Sequence, residues 1–167
     1  MKKKVSTDNF INPEPYTIIS CRSKDGQDNA LTVGFIANVS FEPRIIMIAI
    51  SPERYSHNII QESGEFVVNI PTIDLEEKVL YFGTESGRNQ DKLKNINTIE
   101  AEKVGAVLLS DCPVNFECTV IETVQPGSHT VFFGRVEEVH CDDEYLTETG
   151  DICWEKIDVL HSLIQEN

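Results

Sequence analysis

Apolar residues recur at every second position between residues 29 and 39. Leu31, Val33, Phe35, Ala37 and Val39 share one face, and Ala30, Thr32, Gly34, Ile36 and Asn38 share the other, with Ser40 following. Period two predicts a strand with one core face, and the opposite face of small, mostly polar residues leaves room for something flat. The continuous apolar run from Ile45 to Ile50 predicts a buried strand. Ser51-Pro52 then reads as a helix start, with serine as N-cap and proline at the first helical position. That helix is expected to run to Glu62 and stop at Gly64. Phe66 to Ile70 predicts another strand. Asp74 and Glu77 have capping-box spacing, and Leu75, Val79, Leu80 and Phe82 follow at helical spacing before Gly83.

The second half is strand-rich. Val114, Phe116, Cys118 and Val120 alternate with Asn115, Glu117, Thr119 and Ile121, Pro126-Gly127-Ser128 is a turn signal, and residues 129–140 predict the returning strand. The tail is acid-rich from Glu137. Its Ile152, Trp154, Ile157, Leu160 and Leu163 predict a short docking helix. Two helices beside a mostly antiparallel set of strands predict an α+β fold or a β-barrel with helical additions. No linker or repeat divides residues 1–167, so the chain reads as one domain.

Charge narrows the function. With 28 acids against 14 lysines and arginines, the net charge is -14. Nucleic acid and anionic membrane surfaces both demand a basic footprint, which this composition lacks. Met1-Lys2-Lys3-Lys4 leads into Val5-Ser6-Thr7-Asp8 rather than an apolar run, and no window spans a bilayer. Five irregularly spaced cysteines suit a reducing compartment. These features predict a cytoplasmic protein.

In so acidic a chain, an anion has to be held by a local device. Residues 84–92 supply one: Ser86, Gly87, Arg88 and Lys92 combine a hydroxyl, a glycine that lets backbone amides approach, and two cations four residues apart. A second stands at Ser51, Arg54, Tyr55, Ser56 and His57. There a helix N-terminus with an arginine and hydroxyls forms a ready anion site, the plain alternative being a helix start with a solvated arginine. Two phosphate-type loops in one small domain point to one phosphorylated ligand. No G-x-G-x-x-G, P-loop, nucleophile elbow or metal-ligand spacing is present.

The order of these segments carries a resemblance. Asn29 to Val33, Ser40-Phe41-Glu42-Pro43, Ser51 to His57, Ser63 to Ile70, Gly83 to Arg88 with Asp91-Lys92, Cys112-Pro113-Val114 and Gly127 to Thr130 follow one another as they do in the flavin reductase-like, FMN-binding split-barrel family. That family includes flavoredoxins and flavin or ferric reductases. The resemblance covers roughly residues 15–141 and leaves 142–167 as a C-terminal extension. It implies a mainly β, six-stranded antiparallel split barrel that forms a homodimer, with FMN near the interface. Asn29, Ala30, Leu31, Thr32, Asn38 and Ser40 would line the flavin ring. Ser51, Arg54 and Ser56 would hold the phosphate, with Tyr55 and His57 nearby. Ser86, Gly87, Arg88 and Lys92 would complete the clamp. His129 would sit near the flavin and assist; read from the residues alone, it is equally a hairpin residue after a turn.

The implied chemistry is NAD(P)H-dependent reduction of flavin or of a flavin-accessible acceptor such as a ferric chelate. No acid–base pair is needed, because the cofactor carries the reaction. Two other readings stay open. One is a flavoredoxin-like carrier that takes electrons from a redox protein, and the other a flavin-binding module without turnover.

Overall fold

The computed structural model describes residues 1–162. In chain order the elements are β1 (Thr17–Arg22), β2 (Asp28–Val33), β3 (Ile36–Ser40), β4 (Ile45–Ile50), α1 (Tyr55–Ser63), β5 (Glu65–Ile70), α2 (Glu76–Thr84), β6 (Thr98–Glu100), β7 (Val107–Leu109), β8 (Val114–Val124) and β9 (Thr130–Cys141). Short 3-10 turns cover Ile73–Leu75, Asp143–Tyr145 and Trp154–Lys156. Seven strands form one antiparallel sheet in the order β2-β1-β5-β8-β9-β4-β3, and β6 pairs with β7 alone. The fold is mainly β with few helices, as expected, but the sheet has seven strands rather than six.

The alternation pattern alone predicts five of these strands, and a sixth comes from a break in the most regular segment. The predicted strand 29–39 divides at Gly34-Phe35, and its halves reach opposite edges of the sheet. Ile36 N–H donates to Gly34 O at 3.0 Å and Ala49 N–H to Phe35 O at 2.9 Å, so the corner is tied to β4. Leu31 and Val33 are buried, while Ala37 and Val39 are exposed. One alternation therefore spans two environments.

The period-two reading assigns nothing to Thr17–Arg22, yet β1 lies between β2 and β5. Both of its faces are covered. Ile19 and Cys21 join Leu31, Ile48, Ile60, Phe66 and Phe132 in one core, which α1 closes. Ile18 joins Ala30, Val79, Phe82, Leu109 and Leu160 in a second core under α2. A strand buried on both faces shows no apolar–polar alternation to detect. The turn from β1 to β2 places Gly26 at φ 80°, a left-handed conformation that favours glycine.

Helix starts differ from expectation. Ser51 to Arg54 form a separate turn, with Arg54 N–H on Ser51 O at 3.0 Å, and α1 begins at Tyr55. The Ser-Pro signal is used by that turn. The stop at Gly64 is as expected, with φ 72°. Asp74 makes no capping bond; α2 begins at Glu76, with Glu76 and Glu77 in its first turn, and runs through Gly83 to Thr84. Among the described residues the tail forms no docking helix beyond a short turn. After Trp154–Lys156 it extends, pairing Thr72 with Val159 and Pro15 with His161, so Ile157 and Leu160 are buried by a strap. Leu163 lies outside the described residues.

One buried carboxylate shapes the far end of the sheet. Glu117 on β8 is fully buried and accepts backbone N–H bonds from Glu102 (2.9 Å), Lys103 (2.6 Å) and Val104 (3.2 Å). His140 Nε2 adds a contact at 2.6 Å. Burial pushes this carboxyl up, but the amides and the His140 contact outweigh it and hold it below the ordinary glutamate value.

Candidate functional site

Ten of the sixteen predicted residues converge on one cavity of about 470 Å³: Asn29, Leu31, Ser51, Arg54, Tyr55, Ser56, Ser86, Gly87, Arg88 and Lys92, with His129 at its wall as an eleventh. A second cavity of about 210 Å³ adjoins it, sharing Leu31, Ser51, Arg54 and His129 and adding Thr32, Tyr16 and Phe35. Volumes of this size are ordinary for a cofactor site, which typically occupies roughly 300–1,000 Å³.

Topology explains the convergence. β2 supplies Asn29 and Leu31 from one sheet edge, the turn after β4 supplies Ser51 and Arg54, α1 supplies Tyr55 and Ser56, and the loop after α2 supplies Ser86 to Lys92. Asn29 Nδ2 donates to Ser56 Oγ at 2.6 Å, which joins β2 to α1 beneath the cavity. Asn29 Oδ1 is buried and has no hydrogen-bond partner. Gly87 packs against it so closely that a Cβ there would collide with both Asn29 and the Tyr55 ring. Here glycine is required for approach, whatever its backbone angles.

Three cations meet around the C-terminal end of α2. Lys92 Nζ donates to Phe82 O (3.2 Å) and Glu85 O (3.0 Å), although the residue is only 4% exposed. Arg54 Nη1 donates to Gly83 O at 3.2 Å. Arg88 Nη1 donates to Glu53 O at 2.8 Å, and its guanidinium lies 5.6 Å from the centre of the Tyr55 ring. The Phe82, Gly83 and Glu85 carbonyls are ones the end of α2 leaves without intrahelical partners, so Lys92 and Arg54 serve as caps, while Arg88 holds the turn before α1. Among the described residues, none of the three forms an ion pair with a carboxylate. Burial pulls the Lys92 ammonium down to about 8; the nearby Cys21 and Glu85 oppose this, while Arg54 adds to it. An anion among these groups would restore full charge to Lys92.

Three predicted positions are placed elsewhere, and a fourth points inward. Asn38 and Ser40 lie on β3 and line neither cavity. Ala30 is fully buried beneath α2. The small face of the strand seats that helix: Thr32 Oγ1 donates to Val79 O, and a Cβ on Gly83 would stand 3.5 Å from Thr32 Cβ. The room predicted for a flat ligand is thus filled by α2, and the open side carries Asn29 and Leu31. His57 turns inward, one residue along the helix from Ser56. Its Nε2 lies 2.8 Å from Thr130 Oγ1 and its ring packs edge-on to Phe132. It ties α1 to β9.

His129 stands at the rim, with Nδ1 2.8 Å from Ser128 Oγ and its ring edge-on to Phe35 at 5.4 Å. Glu53, Phe82 and Glu85 also line the larger cavity and were not expected. Phe82 and Glu85 come from the end of α2, whose position follows only from tertiary packing.

The comparisons agree with this architecture. A family model described as the flavin reductase like domain matches residues 11–155. An uncharacterized protein of Archaeoglobus fulgidus is 34% identical over 154 residues, covering 91% of this chain and 84% of its own. An NADH-dependent FMN reductase of Streptomyces nodosus subsp. asukaensis is 29% identical, with 68% of this chain and 62% of that protein covered. Among solved structures, the flavoredoxin of Methanosarcina acetivorans superimposes with a TM-score of 0.91 at 27% identity, covering 98% of this chain and 87% of its own. The chain belongs to the flavin reductase like family.

Proposed function

We propose that the chain is a homodimeric FMN-binding oxidoreductase that uses NAD(P)H to reduce flavin, or an acceptor that the flavin can reach, such as a ferric chelate. The observation that carries the reading is Lys92. It is a buried cation hydrogen-bonded to two carbonyls beside the Phe82 ring, and Arg54, Arg88 and three serines share its cavity. A phosphate supplies the oxygens that this set lacks.

The residues present fit FMN. Lys92, Arg54, Ser51, Ser56 and Arg88 would hold its phosphate, and the unpartnered Asn29 Oδ1 offers an acceptor to a ribityl hydroxyl. Leu31, Thr32, Tyr16 and Phe35 would flank the ring in the smaller cavity, with His129 at its edge. Bound there, the flavin supplies hydride and electron transfer; the protein's part is binding, orientation and electrostatics. Glu53 and Glu85 at the cavity wall keep stray anions out and leave the seat to a ligand that engages all the cations.

Support for a homodimer comes from β3. It is an edge strand with Ala37 and Val39 exposed, beside exposed Phe35 and Phe41. An exposed apolar edge invites pairing with another chain. Light scattering of the purified protein should give twice the chain mass.

The acidic surface favours a second reading, electron exchange with a basic redox protein in the manner of a flavoredoxin. Anaerobic mixing of FMN-loaded protein with NADH separates the two. Rapid loss of the flavin's visible absorption supports the first. Loss only with a reduced protein partner supports the second. Protein that takes up no FMN contradicts both.

A further inference from the structure

The end of β9 remote from His129 has a free edge. β4 pairs with β9 from Thr130 to Arg135, and Val136 N–H donates to Arg44 O at 3.0 Å. Past that point β8 continues alongside β9 and β4 does not. Among the described residues, no strand covers the outer edge of β9 from Glu137 to Cys141. Asp142 N–H donates to Pro113 O at 2.9 Å, which fixes the phase of the ladder. Glu138 and His140 bond toward β8, and Val139 and Cys141 turn their backbone groups outward. Val139 N–H there meets the carboxylate of its own neighbour, Glu138, at 3.3 Å. An unpaired edge of this kind is a template for another strand.

A cavity of about 700 Å³ runs along this edge. Val139 and Cys141 form one wall, and the loop after β9 bends back to supply Leu146, Ile152 and Trp154 as the other. Val139 is 40% exposed and Trp154 43%, so this apolar surface is open. The rim is acidic. Asp151 lines it, and Asp142, Asp143 and Glu144 follow directly from Cys141. Among the described residues, none of these four acids forms an ion pair, and Lys156 donates to the Glu144 carbonyl rather than its carboxylate. The acids act on one another instead: burial, Glu144 and Asp143 push the Asp142 carboxyl up. A partner that brings positive charge relieves that repulsion.

We propose that this edge and cavity dock an extended basic segment of another protein, which adds a strand to β9. Its backbone pairs with Val139 and Cys141, apolar side chains at alternate positions enter against Trp154 and Leu146, and its lysines or arginines meet the rim. The same rim repels acidic segments and nucleic acid. β9 has 12 residues, so roughly 35 Å of strand separates this site from the flavin cavity, and the two readings stand independently.

Trp154 is the chain's single tryptophan, so its emission reports the site directly. The probe is the end-blocked hexapeptide Lys-Val-Lys-Leu-Lys-Val, compared with the same peptide carrying glutamate for lysine. The lysine peptide should move the emission to shorter wavelength and saturate, with affinity falling about tenfold between about 0.05 and about 0.5 M salt. The glutamate peptide should cause no shift. Asp151→Lys reverses the charge at the rim, and Val139→Pro removes the outward N–H at a position where an edge strand admits proline. Each should weaken the lysine peptide about tenfold, the worth of one charge-assisted hydrogen bond. An unchanged thermal midpoint shows that a variant is folded; should one fail this control, the other decides. The site is overturned if the lysine peptide gives no saturable shift, if the glutamate peptide binds as well, or if full affinity survives in a folded variant. It is also overturned if a folded variant lowers the mass seen by light scattering, because the edge is then an interface between copies of this chain.

Discussion

Two buried charges, Glu117 and Lys92, are treated in opposite ways. Glu117 receives three backbone amides and the His140 ring, and its carboxyl is held below its ordinary value. Lys92 receives two carbonyls, and its ammonium is pulled down to about 8. The first charge is completed by the protein and holds residues 102–104 against β8. The second is left short of a counter-charge beside Arg54 and an unpartnered Asn29 oxygen. Burial is common to both, so burial alone does not mark function. What differs is whether the fold itself completes the partners.

The largest expected effect is on Glu117. Glu117→Ala leaves three amides unsatisfied and should cost about 3–5 kcal/mol in urea unfolding, with FMN affinity of the folded fraction retained. Stability should also fall in acid. The carboxyl is depressed in the folded state, so its contribution is full above the unfolded value of about 4.3 and is lost as pH drops through the lower folded value. Equal loss of flavin affinity in Glu117→Ala would blur the distinction between the two charges.

Next comes Lys92. Lys92→Met should weaken FMN by about 1.5–3 kcal/mol, and Arg54→Ala by a similar amount, in a fluorescence titration. Lys92→Met should not destabilise the flavin-free protein, because it removes a buried charge. Loss of stability with no change in FMN affinity would make Lys92 a helix cap only.

Gly87→Ala places a Cβ against Asn29 and Tyr55. The loop has to shift, and overpacking of this kind costs about 1–3 kcal/mol. We expect most of it to be read in FMN affinity, since the loop is partly exposed. Normal affinity would remove the close approach from the account.

The smallest effect is on pH. Lys92 loses its proton as pH rises past about 8, so FMN affinity should fall above that value by at most about tenfold per unit. The flavin-free protein should behave in the opposite sense, gaining stability between about 8 and 10.5 as the unfolded chain holds the proton longer. Lys92→Met should abolish both trends.

The chemistry of this site was more legible in the sequence than its geometry. Arg54, Gly87, Arg88 and Lys92 announce an anion site by type and spacing, and all four line the cavity. On the ring side the cavities gather Leu31 and Thr32 but not Ala30, Asn38 or Ser40, because alternation reports two faces without saying which is covered. Ala30 and Thr32 are small so that α2 can approach, a reason that only tertiary packing reveals. β1 carries no alternation because both its faces are buried, and the break at Gly34-Phe35 hides within an unbroken pattern. Glu117 looks like the outer face of a strand until the loop at 102–104 closes over it.

The central claim is that the incomplete charge at Lys92 is the seat of a flavin's phosphate. Riboflavin is FMN without that phosphate, so the most direct measurement is the ratio of their affinities in wild type and in Lys92→Met. The account predicts that wild type prefers FMN by about a hundredfold, near the 1.5–3 kcal/mol of a charge-assisted contact, and that Lys92→Met loses most of this preference while binding riboflavin unchanged. Equal affinity for the two flavins in wild type, or a preference that survives in Lys92→Met, would contradict it.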